Sequence, residues 1–169
     1  MSMTYTPEPY DFSDKAAAYE RLETQLRGLL AGETDPIANA ANTAALLFDV
    51  LPQVSWAGFY FLRGGELVVG PFQGKPACVR IAMGRGVCGT AAARRTTLIV
   101  PDVNAFPGHI ACDSASRSEI VLPLLRGDRL GGVLDLDSPV AARFDDTDAR
   151  GLERLAALYA QASRLEELR

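Results

Sequence analysis

The chain is poor in the residues that usually announce a metal or redox centre. Its 169 residues include one histidine, one tryptophan and three cysteines. Cys78, Cys88 and Cys112 lie ten and twenty-four residues apart, so no C-x-x-C redox clip or zinc knuckle is present. With His109 as the one histidine, the richest zinc set on offer is Cys3His. Four ligands spread over loops at irregular spacing is not a usual zinc signature. The cysteine count is odd, which leaves at least one thiol unpaired within the chain. Positive charge is not in excess: 17 Lys and Arg face 21 Asp and Glu, a net charge of −4. A general nucleic-acid binder needs a basic face, and Arg94-Arg95 is too short a run to make one. No apolar run approaches the ~18 residues that span a bilayer. The N-terminus has neither a basic n-region nor an apolar h-region. The expectation is a cytoplasmic protein with no membrane contact. Thiols are held reduced there, and are more often redox-active, metal-binding or inert than structural.

What is present reads as an ordinary globular chain, 48% hydrophobic and 22% charged, long enough for one sizeable core. A single domain over residues 1–169 is expected, with residues 1–12 an irregular arm held by Tyr5, Tyr10 and Phe12. Ser13 is the expected N-cap of a first helix that runs to about Ala31, with Tyr19, Leu22, Leu26, Leu29 and Leu30 at helical spacing. Asp35-Pro36 opens a second helix, whose expected buried face is Ile37, Ala41, Ala44, Leu47, Phe48 and Leu51. Strand character follows over residues 54–62 and 66–69, joined at Gly64-Gly65, and again over 78–82. A glycine-rich bend at 84–89 leads into a short helix. Strands are expected over 96–100, 119–125 and 130–136, and Asp145 starts a closing helix. Helices at both ends of the sequence and hairpin-joined strands imply α+β: a largely antiparallel six-stranded sheet with the terminal helices packed on it.

Cys112 has an unusual setting. A thiol kept for packing belongs in an apolar run. Cys112 lies on a polar loop among Asp113, Ser114, Ser116, Arg117 and Ser118, just before the apolar strand that follows Glu119. That context suits an accessible, tunable thiol, although an inert loop cysteine fits the same facts. His109, three residues earlier, reads as a loop hydrogen-bonder with a thiolate-stabilising role open to it. Asp135 and Asp137 share one strand face, opposite Leu134 and Leu136, and Glu119 is expected nearby on the paired strand. Such carboxylates are either solvated or aimed into a pocket. In a pocket they would bind an ammonium group and keep one of their number protonated. Trp56 and Tyr60 also share a strand face, as core or as the wall of a cavity. Gly84, Gly86 and Gly89 fit G-x-G-x-x-G, and Asp102 follows eighteen residues after the first. The fingerprint comes after an antiparallel hairpin and outside any βαβ alternation, so a tight bend is the simpler reading.

Five stretches together resemble a known family. They are AFPGHIACDSASRSEIVLPL (105–124), WAGFY (56–60), GPFQGKPACVRI (70–81), GRGVCGT (84–90) and GVLDLDSP (132–139). They are similar to the free methionine-(R)-sulfoxide reductases, small enzymes built on a GAF domain, and the likeness covers residues 14–160. It implies a GAF fold without a cofactor, with Cys112 as the attacking thiol and Cys78 as the resolving thiol. Cys88 would exchange further or assist recycling. Glu119 and Asp137 would assist at the sulfoxide oxygen, and Asp102 and Asp135 would hold the substrate ammonium. Trp56 would wall the ε-methyl group, with Tyr60 beside it. The implied partners are free methionine (R)-sulfoxide, thioredoxin as reductant and a second copy of the chain in a homodimer. The competing reading is a non-catalytic GAF sensory module, which would have no need of three cysteines.

Overall fold

Aspartates start three of the four α-helices of the computed structural model, which describes residues 9–168. Asp14 caps α1 (Lys15–Leu29), Asp35 caps α2 (Pro36–Val50) and Asp145 caps α4 (Asp146–Ala162), each accepting from backbone N–H groups of the first turn. Asp14 replaces the expected Ser13 because Ser13 donates its own N–H to Asp11. Asp145 and Asp148 form a reciprocal capping box. Tyr10 and Phe12 of the N-terminal arm pack against the core; Tyr5 lies outside the described residues.

Six strands make one antiparallel sheet: β1 (Trp56–Arg63), β2 (Glu66–Gln73), β3 (Arg80–Ala82), β4 (Leu98–Val100), β5 (Ser118–Arg126) and β6 (Arg129–Ser138). The spatial order is β3-β2-β1-β6-β5-β4. α3 (Gly86–Arg94) lies between β3 and β4 in the chain. β4 begins two residues later than expected, because the left-handed Arg95 and the Thr96 N–H to Ala91 finish α3. The glycines of the G-x-G-x-x-G fingerprint make a bend closed by Gly84 N–H to Gly89 O, 2.8 Å. No βαβ unit surrounds it, so the dinucleotide reading fails and the tight bend stands.

Strand alternation sorts the side chains into two cores. Ala57, Phe59, Phe61, Ile120, Leu122, Leu124, Leu134 and Leu136 face α1, α2 and α4. Trp56, Tyr60, Val121 and Val133 face the other way, toward α3 and the loops. The buried face of α2 differs from expectation. Asn39, Ala40, Thr43, Ala44, Leu46 and Leu47 are buried, while Ile37 and Phe48 are exposed. Two polar residues on the true face hid it from a hydrophobicity pattern. Both are satisfied: Asn39 donates to Ser163 across the fold and to the nearby Glu33 O, and Thr43 donates to Asn39 O.

Candidate active site

Register across β1, β6 and β5 builds the floor of a cavity on the second face. Trp56 pairs with Asp137, which pairs with Glu119 on the other side; Gly58 pairs with Asp135. Gly58 is required here. A Cβ at this position would come within 2.3 Å of Phe72 Cβ and 2.7 Å of the Trp56 ring. Its absence lets Trp56 stack on Phe72 at 5.1 Å and on Tyr60 at 5.9 Å between ring centroids.

Two loops roof this floor. The segment between β2 and β3 carries Lys75 and Cys78, and the segment between β4 and β5 carries His109 and Cys112. Cys78 and Cys112 are joined as a disulfide with Cα atoms 5.7 Å apart. Lys75 and Asp113 add an ion pair at 3.4 Å. The aromatic wall holds the first loop in place. Trp56 Nε1 donates to Lys75 O at 3.1 Å, and the Tyr60 hydroxyl donates to Cys78 O at 3.0 Å. On the second loop, Ile110 lies so close to Gly86 that a Cβ there would meet it at 3.1 Å. Gly86 also has φ +61°, a conformation that suits glycine.

The enclosed space is about 50 Å³. That is room for one or two waters, at ~30 Å³ each, and far below the ~300 Å³ at which ligand pockets begin. With the disulfide formed, the site is closed to an amino acid.

The floor is acidic and largely withdrawn from solvent. Glu119 and Asp135 are buried and Asp137 is half-buried. Burial, and then the charges of Asp135 and Asp137, push the Glu119 carboxyl well above its usual range. Burial pushes Asp135 up to about 6. Asp137 rises well above its usual value through burial and the neighbouring Asp135 charge. Three such groups cannot all ionise near neutrality, so the cluster retains protons there. Cys88 is buried beneath them and donates to Glu119 Oε1 at 3.8 Å. Burial and the nearby acids raise its thiol well above the ordinary range. Cys88 is therefore a neutral thiol, not an activated one.

Eight of the nine expected site residues fall around one cavity: Trp56, Tyr60, Cys88, Cys112, Glu119, Asp135 and Asp137 line it, and Cys78 joins it through the disulfide. Asp102 does not line it. Its carboxylate caps the 3-10 turn Val103–Ala105, accepting from Asn104 N at 3.0 Å. Cys78 and Cys112 are consumed in the disulfide, so a Cys3His zinc set does not exist in this state. Cys88, Glu119 and Asp135 do bring possible ligand atoms within 4.8 Å of one another. His109 is placed more pointedly than the sequence suggested, with Nε2 4.0 Å from Glu119 Oε2. The available signal was its position three residues before Cys112.

The GAF domain family matches residues 29–162. The free methionine-R-sulfoxide reductase of Escherichia coli is 54% identical over 144 residues, which is 85% of this chain and 87% of that protein. The chain belongs to the free methionine-R-sulfoxide reductase family. The protein YtsP of Bacillus subtilis is 56% identical over 151 residues, 88% of this chain and 93% of that one. The X-ray structure of the free methionine-R-sulfoxide reductase of Neisseria meningitidis in complex with its substrate is 46% identical. It superposes with a TM-score of 0.90, covering 97% of this chain and 99% of the other. The expected six-stranded antiparallel GAF fold is thus the observed one. Among the described residues no helix is long and apolar enough to cross a membrane.

Proposed function

We propose that this chain reduces free L-methionine (R)-S-oxide to L-methionine, with Cys112 as the attacking thiol and Cys78 as the resolving thiol. The observation that supports the reading is the Cys78–Cys112 disulfide at the roof of a cavity floored by Glu119, Asp135 and Asp137, a cluster too crowded with buried carboxyl groups for all of them to ionise near neutrality. The chemistry needs both parts. A thiolate attacks the sulfoxide sulfur while a neutral carboxylic acid delivers a proton to the oxygen. The sulfur–oxygen bond of the substrate breaks, and its sulfur gains two electrons. Cys112 loses two and becomes a sulfenic acid. Cys78 then attacks Cys112 Sγ, and the hydroxyl leaves with the Cys78 proton as water.

Glu119 and Asp137, the pair that faces across β5 and β6, serve the oxygen. Asp135 serves the ammonium group. Asp102 joins it only when the loop over residues 101–117 lifts from its closed position. Trp56 and Tyr60 pack on the methyl end. Cys88, buried and neutral, takes the later exchange role and not the attack. Thioredoxin as reductant and a homodimer follow from the family resemblance, and a cytoplasmic location is carried over from the composition and segment pattern of the sequence.

The test is consumption of the two separated diastereomers of free methionine sulfoxide with dithiothreitol as reductant. Wild type should consume the R form alone, and Cys112→Ser neither. An active serine variant would remove Cys112 from the role, and no consumption by wild type would remove the activity. In a single turnover without added reductant, Cys78→Ser should still release one equivalent of methionine. With thioredoxin it should fail to cycle.

A further inference from the structure

His109 stands between solvent and the acid floor. Its side chain is 16% exposed, whereas that of Glu119 is 7%. Its backbone is fixed by a hydrogen bond from its N–H to Phe106 O, 3.1 Å. Its Nε2 lies 4.0 Å from Glu119 Oε2. It shares a loop with Cys112, three residues on, and both side chains line the same cavity. The charged and titratable groups around that cavity are Tyr60 from β1, Glu119 from β5, Asp135 and Asp137 from β6, Arg85 and Cys88 at the start of α3, Lys75 from the opposite loop and Asp113 and Cys112 from its own.

The reductase chemistry leaves a gap that this placement fills. The proton on the Cys112 thiol must leave before attack, and the proton Glu119 gives to the oxygen must be replaced. The arrangement of floor and roof leaves Glu119 with little access to water. We propose that His109 is the relay that carries the Cys112 proton to Glu119. This rests on the reductase reading above and adds a role to it. The step balances. The Cys112 thiol gives its proton to the neutral imidazole, and the thiolate attacks sulfur. Glu119 gives its proton to the sulfoxide oxygen, which passes to Cys112 as hydroxyl. The imidazolium then returns its proton to the Glu119 carboxylate, leaving both groups as they began. Burial lowers the His109 pKa below its ordinary value, so the imidazole is neutral and ready to accept at pH 7.

The experiment is single-turnover methionine release by pre-reduced, desalted protein between pH 5 and 9, for wild type, His109→Gln and His109→Asn. Thermal melting is recorded alongside. In wild type the rate should rise with pH as His109 loses its proton and fall as the acid floor ionises. In the variants the rising limb should move up in pH, to where the Cys112 thiol ionises unaided, and the rate near neutrality should fall about 100-fold, the lower end of what a positioned acid or base contributes. Their substrate affinity should stay near that of wild type, and added imidazole should restore part of the rate. A rising limb that stays at its wild-type pH in both variants overturns the relay. So does a slow rate that imidazole does not restore in a variant that melts like wild type. Failure of wild type to release methionine at any pH is a different result, and sinks the reductase reading itself.

Discussion

Asp148 and Asp135 are both buried aspartates, one on each side of the sheet, and their surroundings are opposite. Asp148 sits in the first turn of α4 with all its acceptor capacity engaged. The Tyr19 hydroxyl donates at 2.8 Å and Arg143 at 3.2 Å to Oδ1; Lys15 at 2.6 Å and the Asp145 N–H at 2.9 Å donate to Oδ2. Asp135 has two acids and a thiol as its near neighbours, and its Oδ1 is buried without a hydrogen-bond partner among the described residues. Burying a carboxylate is costly unless donors replace water. The helical side removes that cost with two cations, a phenol and a backbone N–H, and thereby clamps α1 to α4. The cavity side leaves the cost standing. A carboxylate oxygen held without a partner in a buried cavity is suited to a ligand that brings its own donor, as an ammonium group does.

The largest expected consequence of this difference is in stability. Asp148→Ala should lose about 3–5 kcal/mol in urea unfolding, because it strands the buried Arg143 charge and leaves Lys15 with the exposed Asp145 alone. A loss below ~1 kcal/mol would mean that the two aspartates are energetically alike and that the contrast drawn here is wrong.

Asp135→Asn should act in the other direction. The folded-state pKa is raised from 3.8 to about 6. Below pH ~4 the carboxyl is neutral in both folded and unfolded chains and costs nothing. As pH rises from there, the unfolded chain ionises first and is favoured, and wild-type stability declines until the folded group ionises near 6. An amide does not titrate. The variant should therefore be more stable than wild type at pH 8 by ~1–3 kcal/mol, with the gain fading toward pH 4, while reductase turnover falls. Unfolding curves at the two pH values measure this. An equal difference at both would mean that the carboxyl is not held in its neutral form.

How much of the contrast was legible in the sequence follows from the range of each interaction. Strand alternation is local, so the common face of Asp135 and Asp137, and that of Trp56 and Tyr60, could be read directly. The hairpin between β5 and β6 is short, which brought Glu119 within reach of the same reading. Asp148 has no such local signal. Its partners Tyr19 and Lys15 lie more than a hundred residues away, and no periodicity reports a contact of that span. The face of α2 was misplaced for a related reason, since Asn39 is buried by a bond to the distant Ser163. The pairing of Cys78 with Cys112 was carried by family likeness, because three cysteines at irregular spacing do not select a pair. Loop placement was the least legible. Asp102 caps a turn in the closed state, and the approach of His109 to Glu119 depends on how a polar loop folds over a sheet.

The smallest effect expected lies on the roof. Lys75 and Asp113 pair across the two loops, but the Lys75 side chain is 70% exposed and the pair stands beside a covalent link between the same loops. In the oxidised protein Lys75→Ala should leave the melting temperature unchanged, because an exposed pair adds little where a disulfide already fixes the geometry. Reduction removes that link and leaves the ion pair to draw the loops together. There the substitution should raise KM modestly at low salt, and the difference should disappear at high ionic strength, where exposed charges are screened. A KM effect indifferent to salt would place Lys75 in the substrate site and not in the closure of its roof, and a melting shift in the oxidised form would mean that the pair holds the loops even beside the disulfide.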